Sequence, residues 1–162
     1  AGICLVDGDR LLFPYCAYSG VAPDGARGMY TGASVGLATL RRDGFASLDA
    51  GAQGGTLTTR PVTFTGRQLF VNAACPHGDL RVEVLDAASS RALLPPFTAA
   101  GIDSTKQRLG DVSACAGKAV RLRFRLTCGN LFAFWVSPSD SGASQGYLAA
   151  GGLKQLSPID TP

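Results

Sequence analysis

The segment Val120-Arg121-Leu122-Arg123-Phe124-Arg125-Leu126 decides the fold class of this 162-residue chain. Its apolar and basic residues alternate strictly, so a strand would place the apolar side chains on one face and the arginines on the other. A helix would scatter the arginines around its circumference. Residues 80–85 alternate in the same way. The two segments therefore predict an all-β protein in which any helix is one short turn.

Working outward from these segments, short apolar runs separated by turn residues recur at the spacing of a β-sandwich. We predict strands over 3–6, 10–18, 33–40, 45–48, 56–64, 68–73, 80–85, 120–126 and 131–136. Asp7-Gly8 between two apolar runs is a strong hairpin signal, and Pro14 predicts an edge or a bulge. Residues 76–79 and 127–130 are predicted to close two further hairpins. The predicted fold is an antiparallel, jelly-roll-like β-sandwich.

The least regular part of the chain lies between residues 87 and 118, where we predict at most one short strand near 107–109. A domain boundary is predicted near residue 42, after a long glycine-rich loop. Residues 1–42 would be terminal strands and a junction, 43–136 the sandwich, and 137–162 an irregular tail on the surface or on a partner. Because the sequence starts without an initiator Met or a signal peptide, we expect a fragment or a processed product.

Composition narrows the classes of partner. The net charge is +3 and the basic residues are spread along the chain, with Arg121, Arg123 and Arg125 coming closest to a patch. Nucleic-acid binding normally needs a denser basic stripe with exposed aromatic residues, so we expect no nucleic-acid partner. No stretch approaches the roughly 18 apolar residues that cross a membrane, so we expect no membrane insertion.

The cysteines suggest an oxidising compartment. Cys4, Cys16, Cys75, Cys115 and Cys128 contain no CxxC pair, and His77 is the only histidine, so a structural zinc site is not expected. Disulfides are favoured over buried free thiols, which predicts a secreted or extracellular protein. Strand geometry argues against Cys4–Cys16 and Cys115–Cys128 bonds. It leaves Cys75–Cys128, or alternatively Cys75–Cys115, with at least one cysteine unpaired.

A family resemblance accompanies these patterns. It begins at Gly36-Leu37-Ala38-Thr39-Leu40-Arg41-Arg42-Asp43-Gly44-Phe45-Ala46-Ser47-Leu48 and continues in 57–62, 66–73 and 80–86. The chain resembles the C-terminal region of large secreted proteins built on a five-bladed propeller like that of glycoside hydrolase families 32 and 43. The resemblance implies that residues 1–40 end a propeller and that a β-sandwich follows. It also implies that the chain contacts the remainder of a larger polypeptide or a neighbouring subunit, and it supplies no catalytic residues.

Catalytic and metal sites are not predicted within this chain. Glycoside hydrolysis usually needs two facing carboxylates, whereas Glu83 is the only glutamate and is interpreted as a cross-strand partner of Arg81 or Arg123. His77 is interpreted as an exposed turn residue. The aspartates next to glycines are interpreted as turn residues, with calcium kept as an alternative ligand of such turns. No other cofactor is expected.

Aromatic side chains are the candidates for contact with sugars. We predict that Trp135 and Tyr147 bind carbohydrate, because flat apolar rings stack on sugar rings. Trp135 alternates with Phe132 and Phe134, so it should face outward, or alternatively lie buried at a domain interface. The function predicted is a non-catalytic accessory module that contributes packing or contacts with glycans or proteins. The alternatives are a fragment of an active glycosidase and a structural component of an extracellular assembly.

Overall fold

The computed structural model describes residues 3–146 and 157–161. The chain divides into two compact units, Ala1–Arg42 with Leu148–Pro158 and Asp43–Tyr147 with Ile159–Pro162. Within the described residues the regular structure consists of antiparallel strands and a single 3-10 turn, Ser113–Cys115. The predicted all-β, antiparallel fold is confirmed.

The first unit is a three-stranded sheet. Its strands are β1 (Leu5–Asp7), β2 (Arg10–Tyr18) and β3 (Ala33–Arg41), in the order β1-β2-β3. Gly8 has φ +56° at the β1–β2 turn, so the predicted hairpin is confirmed. Strand β1 reaches only residues 10–12 of β2. Pro14 therefore lies where β3 is the only described neighbour of β2, which suits a residue without an N–H group.

The second unit is built around one long strand. Its strands are β4 (Leu48–Ala50), β5 (Gly55–Thr58), β6 (Gln68–Asp86), β7 (Phe97–Asp111), β8 (Val120–Leu126) and β9 (Gly129–Ser137). Their order is β4-β9-β6-β8-β5, and β7 pairs with the other edge of β6. Strands β8 and β9 follow each other along the same edge, with β8 on the second half of β6 and β9 on the first. The sheet thereby bends and nearly closes around a core.

The two hairpins predicted in this unit are wrong. Residues 76–79 lie inside β6 as an irregularity between Cys75 and Asp79, and 127–128 connect β8 to β9 without reversing the chain. Before the irregularity the odd residues of β6 from 69 to 75 face the core, and after it the even residues from 80 to 84 do. The inserted residues change the parity, so both halves bury their apolar side chains.

Two other strand predictions also need correction. Strand β7 runs for 15 residues, where a single short strand near 107–109 was expected. Its residues are exposed or half-buried, so its sequence lacks the alternation of apolar and polar residues that predicts a strand. Its pairing along β6 holds it in place instead. The strand predicted over 56–64 ends at Thr58, with only an isolated bridge from Val62 to Val120 beyond it.

The core of the second unit lies inside the bend of the sheet. Strand β8 alternates as predicted, with Val120, Leu122, Phe124 and Leu126 buried. The rings of Phe124 and Phe134 have centroids 5.0 Å apart. Buried residues from β6, β8 and β9 and from the 3-10 turn complete one continuous cluster. Such a cluster accounts for the stability of a sheet whose edges are exposed.

After β9, residues 138–146 contain no helix or strand, and residues 138–143 pack onto the sheet. The Ser137 hydroxyl donates to the carbonyl of Ala143, which is buried. The backbone N–H of Ser144 donates to the Asp160 carboxylate at 2.7 Å. These contacts fix residues 138–146 on the second unit. The candidate residue Tyr147 lies outside the described residues.

Candidate functional site

The sheet of the first unit carries apolar side chains on both faces. One face carries Leu11, Phe13 and Leu40, with the Tyr15 ring lying over Gly36. The other carries Leu12, Pro14, Cys16, Val35 and Leu37, with Thr39 and the pair formed by Arg10 and Arg41 at one end. We call this second face the open face. Antiparallel sheets with one solvent-exposed face normally carry polar residues on that face. Apolar side chains on both faces are therefore typical of a sheet that is covered on both sides.

Part of the open face is exposed to solvent, since Cys16, Val35 and Leu37 are exposed whereas Leu12 and Pro14 are half-buried. Val35 is 81% exposed and Leu37 is 58% exposed, and Tyr18, Met29 and Tyr30 of the same unit are also exposed. Among the described residues of this unit only Leu11 is buried. A three-stranded sheet with so little buried apolar surface gains little stability by itself. Within the described residues this unit therefore buries little apolar surface.

Several aspartates accept hydrogen bonds from backbone N–H groups in turns. Asp24 accepts a hydrogen bond from the N–H of Ala26, and Asp111 accepts one from the N–H of Ser113 at 2.7 Å. The hydroxyl and the backbone N–H of Ser113 lower the pKa of Asp111. Asp86, which sequence reasoning did not single out, binds the backbone N–H groups of Ala88 and Ser89, and the contacts with Ser89 lower its pKa. These carboxylates cap turns.

Glu83 lies among arginines on the outer face of the second unit. Its carboxylate is 3.7 Å from the guanidinium groups of both Arg81 and Arg123, and 3.5 Å from Arg125. The interpretation of Glu83 as a cross-strand partner of arginine is confirmed. Sequence reasoning missed that Arg81 joins the arginines of β8, although the alternation over 80–85 places Arg81 on the outer face.

His77 is exposed in the irregular part of β6 and is not in a hairpin turn as predicted. In the described part of the chain, no three His, Cys, Asp or Glu residues lie close enough together to hold a metal ion. The turn aspartates considered for calcium are thus not gathered into one cation site among those residues.

The five cysteines, all within the described residues, carry free thiols. The predicted Cys75–Cys128 bond is therefore not formed, nor is Cys75–Cys115. Cys75 is fully buried on the core side, whereas Cys128 is exposed with φ +43°. Because β6 and β9 run side by side at this point, the two residues are near in the ladder but face opposite environments. Burial raises the pKa of the Cys75 and Cys115 thiols.

Trp135 is half-buried and forms part of a packed structure. Its ring stacks on Phe70 with centroids 5.6 Å apart and planes 13° apart, and its Nε1–H donates to the carbonyl of Gly142 at 2.9 Å. It lies on the opposite face from Phe134, as the alternation predicted. The indole thus holds residues 138–143 against the sheet. One ring face and the N–H group are occupied, and carbohydrate binding by Trp135 stays a prediction.

An apolar groove opens where β4 and β5 leave the sheet unclosed. It has a volume of about 390 Å³ and is lined by Leu48, Leu57, Leu131 and Phe134 together with neighbouring residues. Next in sequence to Leu48, the Asp49 carboxylate accepts hydrogen bonds from Ser47 and Asn130, which lower the pKa of Asp49. The groove is open and apolar, as expected of a packing surface.

Comparison with known proteins identifies no relative of this chain. No family model, curated protein or solved structure matches this chain. The resemblance to propeller-based secreted proteins therefore stays a prediction. In the residues that the structure describes, no helix has the length and apolar character needed to cross a membrane.

Proposed function

We propose that this chain is a non-catalytic accessory β-sandwich module of an extracellular, glycosidase-like multidomain protein. In this proposal residues 3–42 dock onto the remainder of that polypeptide, and the second unit offers surfaces for glycan or protein contact. The single observation that supports it is the open face, which carries Val35 and Leu37 at 81% and 58% exposure in a sheet with apolar side chains on both sides.

Burial provides the physical reason. Covering a fully exposed Val or Leu side chain stabilises a protein by about 1.5–3 kcal/mol. Several such residues on one small face therefore favour association with another apolar layer. The remainder of a larger polypeptide is the preferred occupant because the sequence resemblance places the last strands of a propeller here. The extracellular location rests on that resemblance alone, because the five cysteines carry free thiols in the structure.

The carboxylates support a non-catalytic role. Glycosidases need a pair of carboxylates on either side of the sugar, one of them acting as an acid. Here Glu83 is paired with three arginines, while Asp24, Asp86 and Asp111 cap turns. An active site in such a protein would belong to the propeller and not to these residues.

A substitution compared in two contexts tests the docking. Val35→Lys should leave the thermal stability of the isolated chain unchanged, because residue 35 is exposed there. In the intact parent protein it should lower the melting temperature by several degrees, because a lysine would be buried without a partner. Ala52→Lys, in an exposed turn, is the matched control and should be neutral in both contexts.

Other outcomes separate the alternatives. Equal stability of Val35→Lys and wild type in the parent protein would refute docking through this face. An isolated chain that dimerises, and whose dimer Val35→Lys abolishes, would assign the face to a second copy and support the structural-assembly alternative. Glycosidase activity of the parent that requires residues of this chain in contact with the sugar would support the enzyme-fragment alternative.

A further inference from the structure

The outer face of β7, β6, β8 and β5 carries side chains in a regular array. In one row across the four strands, Thr98 pairs with Arg81, Arg81 with Arg125, and Arg125 with Thr56. The next row holds Glu83, Arg123 and Thr58. We call these seven residues the basic face. Neighbouring strands lie about 4.8 Å apart, so the first row spans about 14 Å.

The charges on the basic face are unbalanced. Three guanidinium groups surround the single carboxylate of Glu83, at 3.5–3.7 Å. These separations are long for hydrogen bonds, and Glu83 Oε2 is buried without a hydrogen-bond partner among the described residues. The carboxylate therefore holds the arginines near one another but does not occupy their N–H donors.

Arg81 and Arg125 stand directly opposite each other in the ladder, an arrangement that is destabilising for like charges. Their side chains are 43% and 54% exposed, and that of Arg123 is 31% exposed. Arg121 differs, since its guanidinium donates to the carbonyl oxygens of Thr59 and Ala87. Three of the four arginines on β6 and β8 thus present donors to solvent, and an anion bound between them would relieve the repulsion.

We propose that the basic face, centred on Arg81, Arg123 and Arg125, binds an anionic polysaccharide through its sulfate or carboxylate groups. The planar guanidinium matches both groups with paired hydrogen bonds. The exposed hydroxyl groups of Thr56, Thr58 and Thr98 border the arginines and suit the hydroxyls of a sugar. The face contains no aromatic residue to stack on a base, which favours a polysaccharide over single-stranded nucleic acid.

The site lies entirely within the second unit. It therefore does not depend on the docking of residues 3–42, and either proposal can fail without the other. An anionic polysaccharide would then be the class of glycan that the accessory module contacts.

Binding of the full chain to heparin, polygalacturonate and dextran at low salt tests the proposal. Heparin carries sulfate groups, polygalacturonate carries carboxylates, and dextran is neutral. We expect binding to at least one of the two anionic probes, no binding to dextran, and a steep loss of affinity as salt is added. The anionic probe that binds more tightly identifies the recognised group. Equal binding to dextran, or no binding to either anionic probe, would overturn the proposal.

Three variants place the binding on this face. R81Q/R125Q should weaken binding at least tenfold, whereas Arg27→Gln, an exposed arginine in the first unit, should change it less than twofold. Glu83→Gln removes the one negative charge from the basic face and should tighten binding of an anion, a gain that loss of folding cannot produce. Unchanged binding by R81Q/R125Q would refute the site. Tighter binding of single-stranded RNA than of either polysaccharide would reject the proposed ligand class.

Discussion

Gly78 lies directly against the carbonyl oxygen of Thr127, so closely that a Cβ atom on residue 78 would overlap that oxygen. Gly129 makes the reciprocal contact, since a Cβ there would stand 2.6 Å from both the Ala74 carbonyl oxygen and the Cys75 Cβ. The N–H of Thr127 also donates to the carbonyl of Asp79 at 3.0 Å. Two glycines therefore let β6 and the β8–β9 connection approach where the sheet bends.

Gly78→Ala should destabilise the second unit by about 2 kcal/mol or more, because the added methyl group meets backbone that cannot move away cheaply. Gly51→Ala is the control, since a Cβ at residue 51 has no atom within 4 Å and its φ is not positive. Urea unfolding followed by circular dichroism measures both. Equal midpoints for Gly78→Ala and wild type would contradict the close approach at the bend.

The exposed thiols should react before the buried ones. With the native protein and no reductant, iodoacetamide should modify Cys16 and Cys128, which are exposed, and should reach Cys75 and Cys115 only after unfolding. Burial raises the pKa of the two protected thiols and so lowers their thiolate fraction. Mass spectrometry of peptides gives the order of modification. A Cys128 that reacts only after reduction would show that a disulfide forms in the protein.

Trp135 should behave as a packing residue. Trp135→Phe keeps ring stacking on Phe70 but loses the hydrogen bond to Gly142, which should lower stability by about 1 kcal/mol. Trp135→Ala should cost about 2–3 kcal/mol, because the stack is lost as well. Denaturation monitored by circular dichroism gives both values. A folded Trp135→Ala variant of unchanged stability that loses polysaccharide binding would instead make this residue part of a glycan site.

Acid should lower the stability of the protein by protonating the carboxylates that cap its turns. Hydrogen bonds from Ser89 hold the pKa of Asp86 below its usual value near 3.8 in the folded state. A carboxylate with a depressed folded pKa contributes stability above its unfolded pKa, and that contribution is lost as the pH falls through the folded value. The protein should therefore lose stability below about pH 4. Asp86→Asn should be less stable than wild type at about pH 7 and should show a smaller loss at about pH 3; an equal loss would contradict the role of this cap.

Local patterns predicted much of the sheet. The alternation in Val120–Leu126 predicted both the strand and its buried face, and the Asp7-Gly8 signal predicted the hairpin of the first unit, because these features depend on neighbouring residues alone. Strand β7 could not be predicted, since its stability comes from pairing with β6 over its whole length and not from its own pattern. The basic face could not be predicted either, because its residues come together only through the pairing register of four strands.

By itself the sequence determined that the chain forms antiparallel strands, with Val120, Leu122 and Phe124 on the buried side and Arg123 and Arg125 on the other. Side-chain alternation fixes this, because successive residues of a strand face opposite ways. Only the tertiary structure decided that the chain continues through Gly78 and Gly129 without forming a hairpin at either. A glycine next to polar residues suits a hairpin turn and a bulge equally well locally, and the close approach of a second strand, which both glycines permit, selected the bulge.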